Sequence, residues 1–186
     1  LVEIPHIVVA SASFAPNSIA ELVAAAKKEP GKFNFASVGL GSYPHLDMER
    51  FMRAAAIDLT HVPYKGGAGQ AIPAMIAGEV HVAFFNMASL LPHIKSGRLK
   101  ALAAVPPQRL PELPNVPTLA EQGFPGIGTN AWQGMFAPAA TPKPVVDRPY
   151  SAVAAALNKR EEKEGLAAKM LTVTVSPSPQ AFNDLV

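Results

Sequence analysis

Apolar positions recur along most of the chain at one of two periods. Ile19, Leu22, Val23 and Ala26 fall at i, i+3, i+4 and i+7, as do Met48, Phe51, Met52 and Ala55, and each set marks one face of a helix. The first helix has firm ends. Ser18 and Glu21 form a capping box, Lys27 and Lys28 suit the negative end, and Pro30-Gly31 stops it. Short strand-like runs occupy 1–10, 32–35, 57–62, 80–85 and 99–105, and short helices run through Ile72, Met75 and Ile76 to Gly78 and from Met87 to Lys95, closed by Gly97. This alternation predicts βαβ units and, over 18–105, a parallel-rich sheet flanked by helices.

The texture changes at 106–144, where proline and glycine are dense and only 131–137 reads as a strand. Leu110, Leu113, Val116, Leu119, Phe124 and Ile127 make this a wrapping connection anchored on the core rather than a disordered linker. Helical pattern returns after Pro144 with Val145, Val146, Val153, Ala156 and Leu157, although Pro149 is expected to break or kink it. A charged helix at 161–170 and a strand at 171–175 follow.

The stretch Ala36-Ser37-Val38-Gly39-Leu40-Gly41-Ser42-Tyr43-Pro44-His45-Leu46 joins a strand to a helix. Gly39 and Gly41 permit positive φ, Ser42 suits an N-cap, and Pro44 fits the first turn, where its missing N–H costs nothing. Backbone N–H groups converging on a helix N-terminus suit a carboxylate, phosphate or sulfate. A plain capped turn, in which the glycines serve only the bend, accounts for the same residues. Ligands of parallel sheets sit beyond the carboxyl ends of the strands, and three such ends are the Ser37 turn, the turn Tyr64-Lys65-Gly66, and Phe85-Asn86.

Composition narrows the chemistry. The 186 residues carry a formal charge of +2 spread along the chain, without the basic stripe that nucleic acid requires. Cysteine is absent, which removes disulfides and thiolate metal sites. No apolar run reaches the length of a membrane span. The five histidines show no H-x-H or H-x-x-x-H spacing, so a metal is not expected, and no cofactor motif is complete: Pro44 stands where G-x-G-x-x-G needs its third glycine, and Lys65 does not have Walker spacing. Ser37 or Ser42 with His45 or His61 could imitate a catalytic dyad, but the sequence places no acid to orient the base. His45 could face a ligand or cap locally. His81 reads as an edge or capped histidine, and Asp47 as a partner of the helix dipole. The residues describe an α/β anion-binding crevice without catalytic machinery, with an α/β enzyme acting on a carboxylated or phosphorylated small molecule as the alternative.

Longer motifs add a resemblance. The runs Asn34-Phe35-Ala36-Ser37-Val38-Gly39-Leu40-Gly41-Ser42, His45-Leu46, His61-Val62-Pro63-Tyr64-Lys65-Gly66, Leu91-Pro92-His93-Ile94-Lys95-Ser96-Gly97, Pro114-Asn115-Val116-Pro117-Thr118-Leu119-Ala120-Glu121-Gln122-Gly123 and Ala137-Pro138-Ala139-Ala140-Thr141-Pro142 resemble, in order, the Bug family of periplasmic solute receptors of tripartite tricarboxylate transporters. The resemblance implies a type II periplasmic-binding-protein (Venus flytrap) fold, with the second lobe complete and the first truncated at its N-terminus, so that one half of the site and the signal peptide lie outside this chain. It implies residues 1–13 as the end of the first lobe and a crossing strand, 14–130 as the second α/β lobe, and 131–186 as the second crossing strand and the rest of the first lobe, with 7–10 and 132–137 as the crossing strands. It also implies a periplasmic, non-enzymatic receptor that takes a small organic acid to the membrane components of a tripartite transporter. Its binding residues would be Ser37, Gly39, Gly41, Ser42, His45, Tyr64, Lys65, Gly66, Phe85 and Asn86. Members often carry Asp where this chain has Phe85, a difference that disfavours amino-acid ligands.

Overall fold

The computed structural model describes residues 2–129, 131–168 and 171–184. Contacts divide the chain into two units, residues 5–130 and residues 1–4 with 131–186. None of the described helices is long and apolar enough to cross a membrane.

The larger unit is built on a five-stranded sheet of order β4-β3-β5-β2-β6, in which β2 is His6–Ser11, β3 Asn34–Ser37, β4 Thr60–Pro63, β5 Val82–Asn86 and β6 Leu99–Ala104. β3 pairs parallel with β4 and β5, whereas β2 pairs antiparallel with both β5 and β6. Four strands therefore point one way and β2 runs against them between β5 and β6. The sheet is mixed, and its one reversed strand comes from outside 18–105. The resemblance implies a boundary after residue 13; contacts separate Ile4 from Pro5, and His6–Ser11 pairs along its length inside this sheet.

Side-chain alternation sends Val8, Ala10, Phe35, Val82 and Phe84 to a core shared with α1 (Ile19–Lys28) and α2 (Tyr43–Ala55). The two apolar stripes face this core: Ile19, Leu22 and Ala26 from α1, and Met48, Phe51, Met52 and Ala55 from α2, are all buried. Ile7, Val9, Ala36 and Phe85 take the opposite parity, on the side covered by α3 (Ala68–Ala77) and α4 (Met87–Lys95). The ends are closed as the residue types require. The Glu21 N–H donates to Ser18 Oγ, while the Glu21 carboxylate takes the N–H of Asn17. Gly78, at φ +81°, ends α3 in the left-handed conformation.

The connection after β6 is an ordered strap. Leu110 and Leu119 are buried, and Phe124 and Ile127 pack on the core. Thr118 bridges Ala104 in parallel. Gln122 donates to the Leu102 carbonyl at 2.9 Å and accepts the Ile19 N–H at 3.1 Å. Thr118 and Glu121 cap each other reciprocally, and both Glu121 oxygens lie 3.0 Å from Arg109 Nε, which holds the Glu121 carboxyl below the usual range.

The smaller unit has a three-stranded antiparallel sheet, β7-β1-β8, with β1 Val2–Ile4, β7 Ala131–Gln133 and β8 Thr172–Val173. The strands expected over 131–137 and 171–175 are shorter because the ladder ends where Val2 pairs Gln133 and Val173. Its helices are α5 (Lys143–Leu157), α6 (Arg160–Ala167) and α7 (Pro179–Asn183), the last without an apolar stripe in the sequence to announce it. Residues 169–170, expected to end the charged helix, lie outside the described residues. Pro149 does not interrupt α5. The carbonyl that loses its i+4 partner belongs to Val145, an exposed residue, where solvent can supply the missing donor. None of the described residues of these helices is buried, and Val145 and Val153 of α5 are exposed, as are Met135 and Phe136 between β7 and α5.

Candidate functional site

The turn between β3 and α2 has the backbone its glycines allow. Gly39 and Gly41 stand at φ +133° and +75°, and a Cβ at either would meet no atom within 4 Å. Ser42 occupies the N-cap, but its hydroxyl donates back to the Gly39 carbonyl at 2.6 Å instead of capping the helix. Pro44 brings no N–H. Among the described residues, no protein acceptor serves the backbone N–H of Tyr43 or of His45. The result is a helix terminus with open donors, a local positive field, and a side face formed by Leu40, the most exposed large apolar residue at 83%.

Behind the turn lies a set of aromatic rings. Ser37 is fully buried; its Oγ accepts the Gly39 N–H at 3.0 Å, lies 3.1 Å from the Gly39 carbonyl, and sits 2.6 Å from His61 Nε2. The His61 ring stacks on Phe35 at 4.8 Å and meets the His45 ring at 4.4 Å. His45 Nδ1 accepts the Gly41 N–H at 3.3 Å, and its Nε2 lies 3.7 Å from Glu49. Burial, followed by the neighbouring His45, lowers the His61 pKa from 6.5. These contacts have the outline of a serine–histidine relay, but Ser37 is closed to solvent and Glu49 reaches His45 rather than His61. No substrate carbonyl can approach the hydroxyl, so the arrangement holds a loop and does not attack.

The flanking residues divide into those near the surface and those behind it. Tyr64 ties its turn to β3 through its N–H and the Ser37 carbonyl at 2.9 Å, and burial raises its phenol pKa. Lys65 and Gly66 are exposed, with the Gly66 N–H on Gln70 Oε1. The Asn86 side chain caps α4 by accepting the Ser89 N–H at 2.9 Å. Asn86 also pairs in register with His6, whose ring stacks on Tyr43 at 4.3 Å, so β2 links the Asn86 end to the first turn of α2. Phe85 is different: it is fully buried on the α3 and α4 side of the sheet and presents nothing to a ligand. Any preference it exerts acts through packing.

Asp47, Thr129 and His6 were not legible as a group. Asp47, expected to serve the helix dipole, is buried and accepts both the Thr129 N–H at 3.0 Å and the Thr129 hydroxyl at 2.6 Å. His6 Nδ1 donates to the Thr129 carbonyl, and burial lowers its pKa from 6.5. Burial likewise raises the Tyr43 phenol, against a smaller opposing effect of Asn86. His81 is capped as expected, its Nδ1 accepting the Asn34 N–H. Among the described residues no three His, Cys, Asp or Glu side chains cluster to hold a metal. A groove of about 430 Å³ between α3 and α4, lined by Ile72, Pro73, Ile76, His93 and Arg98, has an apolar floor, and its two polar groups bond to each other.

The profile of the tripartite tricarboxylate transporter family receptors, TctC, matches residues 1–186, and the chain belongs to that family. It is 35% identical over 184 residues to a UPF0065 protein from the tcbD-tcbE intergenic region of Pseudomonas sp. strain P51, covering 98% of this chain and 54% of that one. The structure of the periplasmic binding protein BugD superposes with a TM-score of 0.87 at 31% identity over 99% of this chain and 62% of its own. Rpa4515 of R. palustris, solved with adipate, gives 0.87 and 29% over 100% and 61%. MatC of Rhodopseudomonas palustris, solved with malate, gives 0.86 and 29% over 100% and 63%. The chain thus spans about half the length of this curated relative and about six tenths of these structures. The matching family is one of transporter receptors, and the enzyme alternative finds no support in it.

Proposed function

We propose that the protein carrying this chain is a periplasmic receptor that binds a small organic carboxylate and delivers it to the membrane components of a tripartite transporter. Family membership supports the role, and the adipate and malate in two related structures support the ligand class. The observation that carries the reading to particular residues is the open N–H pair of Tyr43 and His45 at a helix terminus whose N-cap hydroxyl is turned away. One ligand carboxylate accepts from these donors, at a turn shaped by Gly39, Gly41 and Ser42, with His45 beside it. Tyr64, Lys65, Gly66 and Asn86 border the same edge, Lys65 adding a cation, while Ser37 and Phe85 act from behind the surface. Calorimetric titration of the protein with adipate and with malate tests the reading: saturable binding of either acid, lost on methyl esterification of its carboxylates, is expected. Absence of binding by both acids, or equal binding of the esters, rejects it.

A further inference from the structure

We propose that His61, acting as an Nε2–H donor, is a positioning residue that sets the glycine turn through Ser37; the inference rests on the carboxylate site described above. Ser37 Oγ has one proton and three partners: the Gly39 N–H at 3.0 Å, the Gly39 carbonyl at 3.1 Å and His61 Nε2 at 2.6 Å. All three are satisfied only if the hydroxyl donates to the Gly39 carbonyl while accepting from Gly39 and from His61. That places the imidazole proton on Nε2 and leaves Nδ1 as the lone-pair nitrogen. The Gly39 carbonyl also takes the Ser42 hydroxyl and the Ser42 N–H. With its carbonyl drawn inward by these donors, the Gly39 peptide cannot turn that oxygen toward the helix terminus, where it would compete with a carboxylate for the Tyr43 and His45 donors.

The ring is itself held. Phe35 stacks against one side at an interplanar angle of 20°, and His45 lies near it at 4.4 Å with Glu49 beyond. The two histidines work on successive parts of one loop, since His45 Nδ1 accepts the Gly41 N–H while His61 acts through Ser37 on Gly39. The charged and titratable groups facing His61 are therefore His45 and Glu49, both from α2.

The test uses His61→Phe, which keeps the stacked ring and removes the donor, His61→Gln, which returns a donor near the Nε2 position, Ser37→Ala, and the His61→Phe/Ser37→Ala pair. Amide hydrogen exchange at Gly39 and Gly41 is followed in the ligand-free protein, and adipate affinity by calorimetry. Exchange about tenfold faster in His61→Phe and in Ser37→Ala is expected, with no further gain in the double variant, largely restored rates in His61→Gln, and adipate binding weakened in the same order. Imidazole nitrogen shifts of the wild type should report an Nε2–H tautomer. An Nδ1–H tautomer, additive effects of the two substitutions, or unchanged exchange in a folded His61→Phe protein overturns the proposal. If His61→Phe does not fold, the tautomer and the Ser37→Ala and His61→Gln exchange rates decide. A wild type that binds neither adipate nor malate yet shows the exchange pattern removes the proposed function and leaves the positioning role standing.

Discussion

Residues 5–130 and the unit formed by 1–4 and 131–186 each combine helices with a sheet, yet they are stabilised differently. The first buries both faces of its sheet and the stripes of α1 to α4, and its helix ends and connecting strap are tied to one another by side chains. In the second, no described residue of α5, α6 or α7 is buried, and what holds it is an aromatic cluster of Trp132, Phe136 and Phe182, the Tyr150 hydroxyl on the Ser176 carbonyl, and exposed i,i+4 ion pairs such as Arg160–Glu164. Exposed pairs of that kind contribute about 0.3–0.5 kcal/mol each. The lesson is that helix pattern alone does not stabilise a unit; a second layer over the stripe does.

The largest expected break in this comparison is Phe51→Ala. Phe51 is fully buried between α2 and the sheet, against Phe84 and Phe124, and its truncation should cost about 3–5 kcal/mol in denaturant titration. Val153→Ala on α5, where the side chain is 36% exposed, should change the same measurement by less than about 1 kcal/mol. Equal losses at the two sites would mean that the units are equally packed.

Gly41→Val comes next. There is open space for the side chain, so the cost is in the backbone: a β-branched residue at φ +75° should lose about 1–3 kcal/mol or shift the turn. Thermal melts should show a modest loss while adipate titration shows a severe one. Normal binding by the well-folded variant would reduce this stretch to a simple connection. Ser42→Ala should cost about 1 kcal/mol, through the lost bond to the Gly39 carbonyl rather than through a lost helix cap. Unchanged stability would show that this bond adds nothing net.

The shallowest effect is the response to acid. Burial lowers the pKa of His6, His61 and His81 below the 6.5 of an unperturbed imidazole. The unfolded chain then binds protons first as pH falls, so the stability linked to neutral histidines is full above about 6.5 and is lost as pH drops through the folded values. Denaturant midpoints between pH 7.5 and 5 should decline, and His6→Gln should flatten the slope. A midpoint that rose on acidification would contradict the assignment.

Much of this was legible along the chain because it is local. The stripes of Ile19 and Met48 gave the buried faces of α1 and α2, and the two glycines gave the bend before Tyr43. Strand direction is not local: nothing in His6–Ser11 says that it runs against β5 and β6, since period-2 alternation is the same in either direction. Alternation sets Phe85 opposite Phe84 whether the strand is counted from Val80 or from Val82, but which helices cover each face is decided by the crossovers and not by the strand itself. The Asp47–Thr129 bonds join residues 82 positions apart, a separation at which no spacing rule operates. The Ser42 hydroxyl has the position of a cap, but its acceptor is chosen by the conformation of Gly39.

The strap also governs how this sheet meets other chains. β6 is an edge strand, and an edge with free N–H and carbonyl groups recruits strands from neighbouring molecules. Here the Ala104 N–H donates to the Pro117 carbonyl and the Ala104 carbonyl accepts from Leu119, so the carboxyl end of that edge is already occupied. Leu102, one step earlier, has its carbonyl taken by Gln122. Cutting the strap or replacing Gln122 with Leu would open an apolar edge of Leu102, Ala103 and Ala104 to its own copies. In colloidal terms the proline-rich segment is a built-in inhibitor of strand addition at that end of the edge.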